Sequence, residues 1–287
     1  MKSPEGGAAG QRLEHAPVTV LVPSTGWALP NLRELLAHRD LLFFLTVRNI
    51  KVRYRQTLLG GLWAILQPLL TMAMLTVVFG KLIGVPSGGV PYWIFALSGL
   101  VLWTFISQTV SATASSLIGN SELVRKVYFP RLAIPLAAIM AGLVDFAVAF
   151  VMLLVILIAT GMTPGIGIVM CLVVAALAAL MVLGVGAALA ALAVRFRDVS
   201  YVIPFALQLW LFATPVAYPI TIVPEQWRLL LALNPATGLI EMFRWAALGT
   251  AGDPWPAFAV STASLLVMLF AGLLLFRRME RSFADVI

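Results

Sequence analysis

Long uncharged stretches alternate with short charged clusters along this chain, and their lengths predict membrane-spanning helices. A bilayer core needs about 20 predominantly apolar residues per helix, so residues 58–80 and 92–118 each predict one span. Residues 132–194 carry a single charge, Asp145, and the turn-forming sequence at 160–165 divides them into a third and a fourth span.

Prolines shape the fifth predicted span, which lies within residues 199–224. Pro204, Pro215 and Pro219 all fall in this uncharged stretch, and a proline removes one helix hydrogen bond and clashes with the preceding turn. We therefore expect the fifth span to be kinked or broken near its outer end. A sixth span is predicted at residues 254–276.

The segment at residues 224–250 is apolar enough to suggest a seventh span, but its charges argue against one. Two arginines and a glutamate would sit in lipid at a cost of several kcal/mol. Asn234 is expected to cap a second short helix that has Pro235 at its first position, and Glu241 and Arg244 are spaced to pair. Two short re-entrant or interfacial helices therefore fit better.

The distribution of cations predicts the orientation. The 19 Lys and Arg residues cluster before the first span, after the second, after the fourth and after the sixth, and only Lys81, Arg228 and Arg244 fall on the other side. Cytoplasmic loops carry an excess of Lys and Arg, so both termini are expected to be cytoplasmic. A seventh crossing would remove this asymmetry.

The expected fold is an all-α integral membrane protein with six transmembrane helices, an N-terminal amphipathic interfacial helix and two short re-entrant helices before the last span. Leu32, Leu35 and Leu36 share the apolar face of that interfacial helix. The expected divisions are a flexible cytoplasmic tail at 1–30, the interface helix and basic segment at 31–57, a transmembrane domain at 58–276 with a cytoplasmic loop at 119–131 and short helices at 224–250, and a cytoplasmic tail at 277–287.

Composition agrees with this class and excludes several others. Hydrophobic residues make up 61% and charged residues 11% of the 287 residues, against roughly 25% charged in soluble domains. The net charge of +7 does not indicate nucleic-acid binding, because the cations sit where spans meet lipid headgroups. One cysteine, Cys171, lies in an apolar run, so neither a disulfide framework nor a metal site is expected.

Ionisable residues at membrane depth are too few for an intramembrane enzyme. Asp145 is the one candidate, either as a proton relay or as a protonated or hydrogen-bonded group between packed helices, and the second interpretation is favoured. Both histidines, His15 and His38, precede the first span. No P-loop sequence is present, so ATP hydrolysis is expected in a partner and not in this chain.

Uncharged polar residues predict a path or a packing face in the second span. Thr104, Gln108, Ser111 and Ser115 recur at helical spacing, which suits either a water-lined or hydroxyl-binding face or close helix packing. Aromatic faces also suit sugar rings. Further candidates for this translocation path are Gln67, Trp103, Gln208, Trp210 and Tyr218.

A basic cluster stands directly before the first span. Arg48, Lys51, Arg53 and Arg55 would either attract an anionic lipid headgroup by charge-assisted contacts or serve only to keep the N terminus inside. In the loop after the second span, a short helix at 121–128 is either a docking element for a partner or a plain turn.

Four motifs in this order resemble the permease subunits of ATP-binding-cassette exporters for lipid-linked polysaccharides and teichoic acids. The resemblance runs from about Asn31 to Arg278. Its motifs are "VRYRQTLLGGLWAILQPLL", "NSELVRKVYFPRLAIP", "FATPVAYPITIVPEQWR" and "LNPATGLIEMFR".

The resemblance implies a homodimer in the bacterial inner membrane with two separate ATPase subunits, which bind ATP and Mg²⁺, and a lipid-linked polysaccharide as substrate. O antigen is favoured, with capsular polysaccharide and teichoic acid as alternatives. By position, the outer gate would include Asn234, Pro235, Glu241 and Arg244. The residues that transmit the ATPase stroke would be Asn120, Ser121, Glu122, Leu123 and Arg125.

Two other classes compete with this interpretation. An ion-gradient-driven lipid or glycolipid flippase would depend on Asp145 and would need no ATPase. A membrane glycosyltransferase would need acidic catalytic clusters in its loops, and the sequence contains none.

Overall fold

Helices form all of the regular structure that the computed structural model describes, which covers residues 35, 37–55, 57–162, 165–250, 252–280 and 283. Short 3₁₀ turns join some of them, and one helix ends in a π-helical stretch, Thr76–Ile83. The helices are α1 (Arg39–Tyr54), α2 (Gly60–Ile83), α3 (Tyr92–Ser116), α4 (Ser121–Lys126), α5 (Ala133–Ala159), α6 (Gly167–Arg195), α7 (Val199–Phe212), α8 (Glu225–Ala232), α9 (Pro235–Leu248) and α10 (Trp255–Glu280).

Five of these helices, α2, α3, α5, α6 and α10, are long and apolar enough to cross a membrane. Their positions match five of the six predicted spans. Helix α7 has 14 residues, about 21 Å at 1.5 Å per residue, which is short of a hydrocarbon core of roughly 30 Å. The helix ends before Pro215 and Pro219, as the expected break required. That α7 belongs to a fifth span, which would bring the number of crossings to six, stays a prediction.

The two short helices expected before the last span are α8 and α9. Asn234 caps α9, accepting a hydrogen bond from the backbone N–H of Ala236 at 3.2 Å, and Pro235 is its first residue. This confirms the cap that the sequence predicted. A re-entrant position in the membrane for these helices stays a prediction.

Helix α3 forms the centre of the main core. Most of its side chains are buried against α5, α6 and α9, and one continuous hydrophobic cluster joins the four helices. Helix α2 differs sharply, because Pro68 is the one buried residue within Trp63–Leu75. The two helices therefore have different environments although both are apolar.

A second core near the expected cytoplasmic end fixes α1. Leu45 of α1 packs with Leu117, Val124 and Phe129, which come from the segment between α3 and α5. Helix α1 coincides with the C-terminal part of the predicted interface helix. Residues 31–34 and the tail at 1–30 lie outside the described residues, as does most of the C-terminal tail.

Helices α6 and α10 approach each other through glycine. A Cβ atom added at Gly272 would lie 2.0 Å from the carbonyl oxygen of Gly184, so only glycine fits this contact. Small residues allow such close packing where lipid offers no hydrophobic driving force between helices. The Ala- and Gly-rich run in α6 is thus a packing surface, as expected.

We expect Gly272→Ala to destabilise the protein by about 1–3 kcal/mol, because α10 must move away from the α6 backbone. Thermal unfolding of the detergent-solubilised protein measures this change. Gly119→Ala is the matched control, since a Cβ there meets nothing within 4 Å. An equal melting temperature for the two variants would contradict the tight contact.

Candidate functional site

The basic cluster before α2 separates into three environments. Arg48 is half-buried and donates a hydrogen bond from Nη2 to Oδ1 of Asn120. Lys51 and Arg55 are exposed. Arg53 is turned toward the helix bundle, where it forms an ion pair with Asp145 of α5. The four cations that the sequence grouped together therefore lie in different surroundings, and their recruitment of a headgroup stays a prediction.

Asp145 is held by two residues at the end of α1. Nη1 of Arg53 donates to Oδ2, and the hydroxyl of Tyr54 donates to Oδ1. Burial raises the pKa of Tyr54 above its ordinary value, against a smaller opposing effect of Arg53, so the phenol keeps the proton that it donates. Of the two interpretations of Asp145, this geometry favours the hydrogen-bonded group between packed helices.

A polar cavity of about 430 Å³ opens beside Arg53. Ser107, Gln108 and Ser111 of α3 line it, and Nε2 of Gln108 donates to Oε1 of Gln67 at 2.6 Å. The apolar residues Pro204 and Leu207 of α7 form the opposite wall. Of the predicted path residues, the structure thus brings Gln67, Gln108 and Ser111 together with a cation.

Ser107 was missed by the sequence analysis, although it lies three residues after Thr104 and four before Ser111, which is the same helical spacing. Thr104 is half-buried and does not line the cavity. Ser115 is exposed, and its hydroxyl donates back to the Ser111 carbonyl at 3.0 Å. Gln208 is exposed on α7.

The aromatic candidates are packed inward. Trp103 is 5% exposed, and its ring meets that of Trp210 edge to face at 5.7 Å between centroids. Nε1 of Trp210 donates to Oδ1 of Asn234 at 2.8 Å. The Tyr218 hydroxyl donates to the Phe212 carbonyl at 3.2 Å. Trp103 is therefore buried in the core, whereas Trp210 is half-buried and lines the groove that α7 forms with α6 and α10.

Asn234 connects the end of α7 with the start of α9. Its Nδ2 donates to Oγ1 of Thr214 at 2.9 Å and to the carbonyl of Ala213 at 3.2 Å. Together with the α9 cap and the Trp210 contact, these bonds use both the donor and the acceptor of the amide. Asn234 therefore fixes the non-helical segment after α7 against the short helices.

Arg244 is the most buried cation that the described residues contain, at 2% exposure. It pairs with Glu241 at 2.9 Å, as the spacing predicted, and donates to the backbone carbonyls of Pro215 at 3.2 Å and Val216 at 3.0 Å. Its guanidinium carbon lies 3.7 Å from the Phe95 ring centroid. Arg244 thus attaches α9 to the segment after α7.

Burial and the charge of Arg244 act on the neighbouring Glu241 in opposite directions. Burial raises the pKa of Glu241, while the attraction of Arg244 counteracts that effect. Gly99 makes room for the guanidinium, because a Cβ there would lie 2.6 Å from Nη2. The arginine therefore occupies a site formed by a glycine, the Glu241 carboxylate and two backbone carbonyl oxygens.

The loop between α3 and α5 contains α4, which ends at Lys126, two residues before the predicted end. Val124 anchors it in the second core, and Glu122 is exposed and pairs with Lys126 at 2.5 Å. Ser121 and Leu123 are half-buried, and Arg125 is exposed. The loop therefore presents a charged surface on an apolar anchor.

Metal chemistry has no structural support within the described ranges. No group of three or more His, Cys, Asp or Glu side chains there is placed to hold an ion.

Comparison with known proteins gives consistent matches over most of the chain. Residues 40–248 match the ABC-2 type transporter family. The chain is 33% identical to an O-antigen export system permease protein, RfbA, of Myxococcus xanthus, over 89% of this chain and 98% of that protein. It is 27% identical to an RfbA of Klebsiella pneumoniae over 86% and 95% of the two chains. It is 24% identical to the polysialic acid transport protein KpsM of Escherichia coli over 83% and 93%.

Proposed function

We propose, from the premise that this chain belongs to the ABC-2 type transporter family, that it is the permease subunit of an ABC exporter for O-antigen polysaccharide. The observation that carries the proposal is the end-to-end similarity to O-antigen export permeases. The substrate would be carried on undecaprenyl diphosphate and would cross the bacterial inner membrane. ATP hydrolysis, with ATP and Mg²⁺, would take place in a separate subunit.

The topology of this permease would comprise six crossings with both termini in the cytoplasm. Helix α7 and the non-helical segment after it would together make the fifth crossing. Helices α8 and α9 would enter from the outer side and form the gate, with Asn234, Pro235, Glu241 and Arg244 joining it to the end of α7. The hydrogen bonds of Asn234 and Arg244 to that segment support this assignment.

The functional unit would be a homodimer. Helix α2 leaves large apolar side chains exposed, including Leu70, Met74 and Val77, and it stands beside the polar cavity through the bond from Gln108 to Gln67. A second copy facing α2 and α7 would enclose this polar face and complete a conduit. Two ATPase subunits would bind such a dimer on its cytoplasmic side.

The coupling residues would be Asn120, Ser121, Glu122, Leu123 and Arg125, as the resemblance implies. Their link to the substrate path would be α1, because one helix carries both Arg48, bonded to Asn120, and Arg53, bonded to Asp145. A displacement of the loop by an ATPase would move α1 and the cavity wall together.

We expect Asn120→Ala to lower polysaccharide export per ATP hydrolysed by about tenfold, the value of one charge-assisted hydrogen bond. Arg48→Ala should behave in the same way. Asn120→Asp keeps an oxygen acceptor for Arg48 and should export far better than Asn120→Ala. Export and ATP hydrolysis are measured on the same reconstituted complex, and unchanged coupling in Asn120→Ala would contradict the link.

The experiment that tests the function itself uses the partner ATPase. Replacing its P-loop lysine with alanine should abolish surface O antigen, measured by immunoblotting of extracted lipopolysaccharide, and this chain purified alone should hydrolyse no ATP. Export that survives loss of the ATPase and stops in Asp145→Asn would favour the ion-gradient-driven flippase instead.

Capsular polysaccharide is the second candidate substrate, because the chain also resembles a polysialic acid transport protein. Teichoic acid is the third. Complementation of permease-deficient strains that make each polymer separates the three, and restoration of capsule but not of O antigen would overturn the preferred substrate.

A further inference from the structure

We propose that Arg53 binds the phosphate group of a lipid substrate in the open cavity between α3 and α7, and that Asp145 is a resident counter-ion that competes for Arg53 and keeps this binding weak. The inference rests on the proposed function and specifies the substrate site of that exporter. It goes beyond headgroup recruitment by the basic cluster as a whole, because one cation and one carboxylate are given distinct roles.

Arg53 has hydrogen-bonding capacity to spare. A guanidinium carries five N–H donors, and within the described residues the one bond of Arg53 is that of Nη1 to Asp145. Its side chain is 30% exposed, whereas that of Asp145 is 14% exposed. The remaining donors are therefore accessible from the cavity, and the carboxylate lies behind them.

The cavity presents donors to an anion. Ser107 and Ser111 contribute hydroxyls and Gln108 an amide to its lining, and Arg53 contributes the positive charge. Among the residues that the structure describes, no acidic one lines the cavity. The cavity has a volume of about 430 Å³ and is wide open to the surface. A phosphate or diphosphate group therefore fits together with part of its hydration.

The far wall indicates that the ligand has an apolar part. Leu207 of α7 lines this cavity and also an apolar groove of about 540 Å³ that α7 forms with α6 and α10. Val185, Leu189 and Met268 are among the groove residues. A phosphate joined to a hydrocarbon chain matches this arrangement, because α7 lines both the charged cavity and the apolar groove.

Asp145 explains how such a site releases its ligand. A lone guanidinium would bind a phosphate tightly through bidentate, charge-assisted bonds, yet a transporter must bind weakly enough to let its substrate leave. The Asp145 carboxylate occupies part of the same guanidinium and repels the incoming anion. When a phosphate replaces the carboxylate at Arg53, Asp145 still accepts the hydrogen bond from the Tyr54 hydroxyl.

The test measures binding of geranylgeranyl diphosphate to the full permease–ATPase complex in phosphatidylcholine nanodiscs by isothermal titration. Asp145→Asn should bind about tenfold more tightly than the natural protein, because the competing charge is gone while an acceptor for Tyr54 stays. Arg53→Gln/Asp145→Asn should bind at least about tenfold more weakly than Asp145→Asn. Melting temperatures show whether each variant is folded.

At saturating substrate, the Asp145→Asn variant should export more slowly than the natural protein, because release of the substrate becomes slower. Binding that is equal in Asp145→Asn and in the double variant would overturn the role of Arg53. Binding by Asp145→Asn that is no tighter than in the natural protein would overturn the role of Asp145.

Three further ligands separate the possible sources of the phosphate. Geranylgeraniol lacks the charge and should not bind in an Arg53-dependent way. Inorganic diphosphate should bind more weakly than its geranylgeranyl ester, and equal affinity would overturn the assignment to a lipid. Phosphatidylglycerol that binds as tightly as the ester would show a bulk-lipid site and would also overturn the proposal.

Failure of this inference is distinguishable from failure of the proposed function. Normal ATP-driven export by Arg53→Gln/Asp145→Asn would reject the site and leave the exporter intact. Arg53-dependent binding of the diphosphate by a complex that exports no polysaccharide in any strain would retain the site and reject the exporter.

Discussion

Replacing Arg244 with alanine is expected to lower the stability of the protein by about 3–5 kcal/mol, because the change leaves Glu241 as an uncompensated charge in a buried site. Two backbone carbonyls, those of Pro215 and Val216, lose their donor at the same time. Such a loss is large against typical total stabilities. Thermal unfolding in detergent should show a lowering of the melting temperature on the order of 10 °C.

Two further variants test the cause of this loss. Glu241→Leu/Arg244→Leu removes both charges and should recover a large part of the stability, since well-packed apolar residues often replace a buried ion pair. Arg197→Gln removes an exposed cation and should change stability by no more than about 0.5 kcal/mol. A double variant as unstable as Arg244→Ala would show that the carbonyl bonds, and not the unpaired glutamate, dominate.

Local features of the fold were predictable from the sequence because they depend on neighbours along the chain. Hydrophobic length predicted the five long helices. The order of Asn234 and Pro235 predicted the α9 cap, and the three-position spacing of Glu241 and Arg244 predicted their pair. Each of these rests on a contact within a single helix or at its end.

Long-range partners were not predictable in this way. Arg53 and Asp145 are 92 positions apart, and nothing in the sequence indicates that α1 runs along α5 far enough to bring them together. The aromatic candidates show the same limit. Composition identifies Trp103 and Trp210 as residues suited to sugars, but only packing shows that their rings contact each other.

The depth of the basic segment is the main difference between expectation and structure. Four cations within eight residues predicted a uniform surface patch at the foot of the first span. Because α1 packs against α5 and its Leu45 enters the second core, successive turns of one helix place Arg48 at the loop between α3 and α5 and Arg53 at the cavity. The motif thus divides into one residue that contacts Asn120 and another that contacts Asp145.

The largest expected effect on transport is a block of the polar cavity. Ser111→Trp places a bulky side chain in a space of about 430 Å³ that Arg53, Ser107 and Gln108 also line. If the polysaccharide passes this cavity, export should fall to background, because a chain that must thread the conduit cannot pass an indole. Surface O antigen is measured by immunoblotting in a strain that lacks its own permease.

The matched control is the same substitution at an exposed position outside the cavity. Val151 of α5 is 58% exposed, so Val151→Trp adds an equal side chain away from the cavity and should leave export near normal. Both variants should assemble with the ATPase and retain its basal hydrolysis, which separates a blocked path from a misfolded subunit. Normal export by an assembled Ser111→Trp complex would mean that the polysaccharide takes another route.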